Sequence, residues 1–258
     1  MARKIAISTN KGGVLKTSIA VNLAGIISKE KKRVLIIDTD NQGDVVVSFG
    51  KNPDVYEKSV YDVLVDGFDI RKAIVKKVYK NIDILPSNDD MDFFEFDVLT
   101  KINQYPEPFH LLKNKIEYID HLYDYIIIDT PPNLGLVQGN VLTATDEVII
   151  PYQPEIYSMR SLVKILNSII SFREKHNPSL KIAGVVGTLV DMRTTLHTES
   201  LQECRKYCYA NNVRMLETVI PRTIRYANSV AYERLPATLS MKNKELIKSY
   251  IDLWKEIK

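Results

Sequence analysis

The chain has 258 residues, 45% of them hydrophobic, enough to build the core of one large α/β domain. Its 35 Lys and Arg stand against 32 Asp and Glu; a net charge of +3 excludes a uniformly basic nucleic-acid binder and leaves any DNA contact to a local patch. No apolar run approaches the roughly 20 residues of a membrane span, Met1-Ala2-Arg3-Lys4 leads straight into an apolar strand with no signal-peptide pattern, and the two cysteines have no second Cys or His pair with them to suggest metal or redox chemistry.

In chain order, Ile5-Ala6-Ile7 predicts a first strand, and Lys11-Gly12-Gly13-Val14-Leu15-Lys16-Thr17 follows it directly. From Ser18 to Ser28, Ile19, Leu23, Ile26 and Ile27 recur at helical spacing. A strand, a glycine-bearing turn and a Lys-Thr pair opening a helix make a phosphate cradle, because N–H groups at a helix N-terminus point at an anion and the helix dipole favours it. Lys16 would reach the outer phosphates and the Thr17 hydroxyl would join the shell of a Mg²⁺ ion. Lys11 through Ser18 are therefore the candidate nucleotide-binding residues. The stretch departs from the pattern G-x-x-x-x-G-K-[ST] twice, with Asn10 at the first glycine and Leu15 at the last. A backbone needing φ > 0 at Leu15 would be strained, and its side chain must point away from the nucleotide.

Arg33 to Ile37 reads as a buried parallel strand ending in Asp38-Thr39-Asp40-Asn41-Gln42-Gly43. Gly50 to Lys80, with Pro53 and mixed charge, is the least regular region and predicts short surface helices. Ile82 to Pro86 is a short strand and stop. His110 to Leu122 predicts a helix feeding the strand Tyr125 to Ile128, which ends in Asp129-Thr130-Pro131-Pro132. Both acidic endings fall at the carboxyl ends of strands, where open α/β sheets bind ligands. Glu147–Pro151 and Ile182–Val186 predict further strands around a helix from Ser158 to Phe172. The alternation implies an α/β fold, doubly wound, with a mostly parallel sheet and helices on both faces. Cys204 and Cys208, four apart in a predicted helix, read as two semi-buried thiols. At the end of the chain Leu246, Ile247, Tyr250, Ile251, Trp254 and Ile257 form an apolar stripe beside Lys242, Lys244, Lys248, Lys255 and Lys258. Such a helix packs its stripe on the parent domain, with an anionic membrane surface as the alternative.

The second lysine, Lys11, five residues before Lys16, resembles the deviant Walker A motif of the ParA/MinD ATPases, and two acid-ended strands follow in the right order. Ile84-Leu85-Pro86-Ser87-Asn88, the segment Pro151 to Ser158, Thr188 to Thr194 and Val219 to Arg225 resemble further family segments, so the likeness spans nearly the whole chain. The size is similar to the short, Soj-like ParA class, implying a single ATPase domain over 1–258 without an N-terminal helix-turn-helix.

The resemblance implies an ATP- and Mg²⁺-dependent hydrolase with Lys11, Lys16 and Asp40 catalytic, Lys11 crossing to the ATP of a second subunit and Asp40 positioning the attacking water. It implies Thr17, Asp38 and Asp129 at the metal, and Pro221 and Arg222 flanking the adenine. Arg193, Arg222 and Arg225 would form a DNA-binding face, extended by Lys242, Lys244 and Lys248 and effective once ATP joins two subunits. The implied partners are non-specific DNA, a ParB-like centromere-binding protein and an ATP-dependent second copy, in the cytoplasm on the nucleoid. A membrane-cycling MinD-like ATPase is the alternative. A nitrogenase-like iron protein would need cluster cysteines around the second acidic strand, and Met91 to Pro151 contains none.

Overall fold

The structure is a computed structural model that describes residues 1–240 and 244–258, without the side chains of Arg225, Ala227, Lys244 and Leu246. Eight strands form one sheet in the order β3-β4-β2-β5-β1-β6-β7-β8. β1 (Arg3–Ile7), β2 (Val34–Asp38), β4 (Ile82–Leu85), β5 (Tyr125–Asp129), β6 (Glu147–Tyr152), β7 (Lys181–Val190) and β8 (Met215–Pro221) run parallel, and β3 (Val75–Tyr79) pairs antiparallel with β4. The central strands are apolar throughout because both faces are covered. Successive residues alternate sides: Leu35, Ile37, Ile126 and Ile128 face one core, and Val34, Ile36 and Ile127 face the other.

The first core is closed by α3 (Val60–Leu64), α4 (Ile70–Ala73), α5 (Phe94–Thr100), α6 (Leu111–Ile116), α7 (Leu136–Ala144), α8 (Ser158–Lys175) and α9 (Thr195–Ala210). The second is closed by α1 (Lys16–Lys29), α2 (Asp44–Val47) and α11 (Lys244–Ile257), with α10 (Arg225–Asn228) beside them. The doubly wound architecture read from the alternating pattern is present. Cys204 and Cys208 are both free and buried in α9.

The terminal stripe packs inward. Tyr250, Leu253 and Trp254 are buried, the Tyr250 hydroxyl lies 2.8 Å from Ser18 Oγ, and the Trp254 indole N–H donates to Glu30 at 3.0 Å. Glu256 accepts the backbone N–H groups of Glu217 and Thr218, so α11 also satisfies amides of edge strand β8.

Two readings of local structure need correction. Gly50 to Lys80 holds short helices, but Val60, Val63, Leu64, Ile70 and Ala73 are core residues, and the region ends in β3. The strand Val75-Lys76-Lys77-Val78-Tyr79 is irregular, with Lys77 at φ 53°, and so carries no clean alternation along the chain. The helix expected from His110 to Leu122 stops at Ile116 and resumes as one 3₁₀ turn, Asp120–Leu122. There the Asp120 carboxylate is drawn away to the backbone N–H of Ala2 and to Lys4.

Candidate functional site

Parallel pairing sets the site. Asp38 on β2 stands opposite Asp129 on β5, and Asp129 opposite Ile7 on β1, so both acids and the start of the cradle share one level at the carboxyl ends of adjacent strands. Thr39 Oγ1 donates to the Asp129 carbonyl and Thr130 Oγ1 to the Ile7 carbonyl, which fixes the three strand ends to one another.

The turn from β1 to α1 closes through two left-handed residues, Gly13 and Leu15, both at φ 70°. Leu15 thus occupies the conformation that favours glycine. Its half-buried side chain packs on the core beneath α1, and its carbonyl accepts the first helical N–H, from Ile19, at 2.8 Å. The cradle therefore keeps its backbone path with the usual glycine gone, at a cost of about 1 kcal/mol in strain.

Lys16 is buried and donates to the Lys11 carbonyl at 3.1 Å. Burial holds its ammonium below the usual lysine range, against the pull of Asp129 and Asp40. Thr17 Oγ1 donates to Asp129 at 2.5 Å. The Asp129 carboxyl is pushed up to about 7, chiefly by burial. Asp38, fully buried, lies well above the carboxylate range through burial and the neighbouring Asp129 charge, although it accepts the N–H groups of Asp40 and Val45. Carboxylates this buried are costly to ionise without a positive partner, and the Lys16 ammonium is the cation that acts on Asp129. Asp40 is half-buried, accepts the Gln42 N–H at 3.3 Å, and lines with Gly12 to Ser18, Asn41, Gln42, Asp44 and Pro132 a cleft of about 560 Å³.

Lys11 leaves the cleft. Its ammonium donates to Glu155 at 2.6 Å and to Ser158 Oγ at 3.3 Å, both beside the start of α8. The sequence offered the Glu155 segment without assigning this contact, since nothing in local spacing couples positions 144 apart.

The remaining site residues lie apart. Pro221 ends β8, the edge strand, and neither it nor Arg222 lines the cleft. Arg222 and Arg193 do come together as loops, because the Arg222 N–H donates to Val190 at the end of β7. Arg193 is exposed and bound bidentately by Asp191, at 2.8 and 2.7 Å. The Arg225 and Lys244 side chains and all of Lys242 lie outside the described residues, and Lys248 is exposed. Among the described residues, no group of three or more His, Cys, Asp or Glu is arranged to hold a metal alone, and no helix is long and apolar enough to cross a membrane.

Sequence reasoning also missed two contacts at the rim of the cleft. Asn41 donates to Asp92 at 2.8 Å, and the Leu136 N–H donates to Glu95 at 3.1 Å. The only sign of them is the run Asp89-Asp90-Met91-Asp92-Phe93-Phe94-Glu95-Phe96-Asp97, whose acids and aromatics fit no simple surface helix.

Comparison with known proteins agrees with this geometry. A family model described as an AAA domain matches residues 2–182. A ParA family protein of Mycoplasma pneumoniae is 34% identical over 265 residues, covering 98% of this chain and 96% of its own. Among solved structures, cobyrinic acid a,c-diamide synthase of Mycobacterium smegmatis with a bound ATP analogue and magnesium superposes with a TM-score of 0.83 at 29% identity, over 99% of this chain and 93% of that one. A plasmid partition protein of Borrelia burgdorferi bound to AMPPNP superposes with a TM-score of 0.80 at 28% identity, over 99% and 98%.

Proposed function

This chain belongs to the ParA family, and from that premise we propose that it is a partition ATPase whose ATP-bound form dimerises, binds DNA without sequence preference and lets go on hydrolysis. The observation that carries the reading is that Lys16, Thr17 and Asp40 line one cleft at the strand ends, that Asp129, bonded to Thr17, and Asp38 opposite it are buried beside that cleft, and that the second lysine, Lys11, is held outside it by Glu155.

Lys16 and the amides of Gly12 to Thr17 hold the phosphates. The donor set fits Mg²⁺: the Thr17 hydroxyl and the Asp129 carboxylate it bonds, with Asp38 opposite Asp129 on the next strand, would supply hard oxygen to the ion. The ion, when bound, neutralises charge on the transferring phosphate. Asp40 stands free enough in the cleft to orient a water at the γ-phosphate. Lys11, released from Glu155, serves the nucleotide of a second subunit, which ties dimerisation to ATP.

DNA would meet the loops after β7 and β8, which carry Arg193 and Arg222, and the start of α10 at Arg225. Two modest patches joined in a dimer bind far more strongly than one, because counterions are released together. A centromere-binding partner would stimulate turnover, and the protein would act in the cytoplasm on the nucleoid, segregating a plasmid or a chromosome origin. The terminal helix does not favour the membrane-cycling alternative, since its Tyr250 and Trp254 are spent on α1 and the sheet.

The test is binding to an arbitrary DNA duplex with ATP, with ADP and without nucleotide, across a salt series. Tight, salt-sensitive binding with ATP alone is expected. Absence of binding in all three conditions, with ATP-driven dimerisation intact, overturns the reading.

A further inference from the structure

The nucleotide cleft lies at the carboxyl ends of the parallel strands, and a second concavity lies at their opposite ends. It encloses about 520 Å³ between Arg33 before β2, the hairpin of β3 and β4, and Leu122 and Tyr123 before β5. Sites for small organic molecules commonly enclose about 300–1,000 Å³.

Its walls are held in place by one carboxylate. Asp83 on β4 accepts the Lys77 backbone N–H at 2.7 Å, the Tyr123 hydroxyl at 2.8 Å and the Lys76 ammonium at 3.1 Å. It thereby pins the irregular part of β3, where Lys77 stands at φ 53°, to the segment before β5. Lys76 also donates to the Tyr123 hydroxyl at 2.7 Å and lies 5.2 Å from the centre of its ring. Asn81, left-handed at φ 62°, accepts the Val34 N–H at 2.8 Å and ties the hairpin turn to β2.

The lining carries an excess of positive charge. Arg33, Lys76, Lys77 and Lys80 face a single carboxylate, Asp83, which three donors already share. Among the described residues neither the Lys77 nor the Lys80 ammonium has an ion-pair partner. Two unpaired ammonium groups match the charge of a dianion, and Leu122, Tyr79 and Tyr123 offer apolar surface beside them. Lysines on an edge strand also deter another strand from pairing. That role explains the lysines of β3, but not a walled concavity that also draws in Arg33 and Tyr123 from two other strand starts. Duplex DNA presents its phosphates on a convex surface and has no exposed apolar group for such a floor.

We propose that this concavity is a second anion site, separate from the nucleotide cleft, for a small phosphate monoester carried on an aromatic or other apolar group. Lys77 and Lys80 hold the phosphate, and Leu122, Tyr79 and Tyr123 take the carrier. The two sites sit at opposite ends of β2 and β5, so both can be filled at once. The proposal goes beyond the partition reading and does not depend on it.

The probe is 1-naphthyl phosphate, titrated into the whole chain by calorimetry with ADP and Mg²⁺ present in excess. Saturable binding is expected, weakened at least threefold by added salt. Lys77→Glu/Lys80→Glu, with an unchanged circular dichroism spectrum, should bind at least tenfold more weakly. Native protein should bind inorganic phosphate and uncharged 1-naphthol at least tenfold more weakly than the probe. In hydrogen exchange the probe should slow residues 76–83 at least threefold. Absence of saturable binding, equal binding by native and substituted protein, or equal binding of 1-naphthol overturns the site. Equal binding of inorganic phosphate removes the apolar carrier and overturns the ligand class. Displacement of the probe by a short DNA duplex or by vesicles of anionic phospholipid, at equal phosphate, also overturns it, because a polyanionic surface would then be the occupant. The native and substituted proteins differ only at the far end of the strands from the nucleotide cleft, so their comparison holds even if the partition reading fails.

Discussion

The Lys11 ammonium and the Glu155 carboxylate meet at 2.6 Å within one chain, so the lysine assigned to a second subunit is already held at home. The contact also lowers the Glu155 carboxyl below its usual range, with the Lys11 hydrogen bond as the chief cause. Both side chains are partly exposed, which limits the pair to about 0.5–1 kcal/mol. Glu155→Ala should therefore lower the ATP concentration needed for dimerisation by roughly two- to fivefold. Sedimentation velocity across an ATP titration checks this, and an unchanged midpoint would mean that the pair does not compete with dimerisation.

Leu15 gives a prediction in which the larger deletion is the milder one. Leu15→Ala loses packing on the core beneath α1 yet keeps the strain of φ 70°. Leu15→Gly loses the same packing and relieves the strain. The glycine variant should be more stable than the alanine variant by about 1 kcal/mol, net of the glycine's greater unfolded-chain entropy. Urea midpoints of the two would show it; the reverse order would place Leu15 outside the left-handed region in solution.

Asp40→Ala should bind ATP within about threefold of native and still dimerise, while turnover falls roughly 100-fold or more, the scale of losing a group that positions a proton or water. Filter binding and a phosphate-release assay separate the two effects. Undiminished hydrolysis would remove Asp40 from the role.

The terminal helix can be read by deleting its anchor. Trp254 is buried against Tyr125 and donates to Glu30, so Trp254→Ala should cost about 3–5 kcal/mol, whereas Glu30→Ala, which removes the acceptor together with its partly exposed ion pair to Lys258, should cost about 1 kcal/mol. Thermal or chemical denaturation distinguishes them. Native protein that floats with anionic liposomes in ATP would show that the stripe leaves its packed position.

Much of the site was legible because it is local. Lys11, Lys16 and Thr17 are fixed by one turn and the helix it opens, and Asp38 and Asp129 by the ends of apolar runs. Even the strain at Leu15 follows from a residue type at a position in a turn. Arg222 shows the limit: it follows β8 and meets the loop after β7, and although it does not line the cleft around β1, β2 and β5, its charge acts on Glu155, the partner of Lys11. The segment pattern gave its neighbourhood along the chain but not its distance across the sheet.

The sequence by itself determined the parallel sheet, the phosphate cradle and the carboxylates at its edge, since period, turn chemistry and chain order act over a few residues. Only the tertiary structure decided that Lys11 turns to Glu155, that β3 pairs as an irregular edge strand, that the terminal stripe is buried rather than exposed, and that Asp92 and Glu95 reach the two loops of the cleft. Those choices depend on which surfaces the strand order brings face to face, and contacts between residues 41 or 144 positions apart carry no periodic trace in the chain.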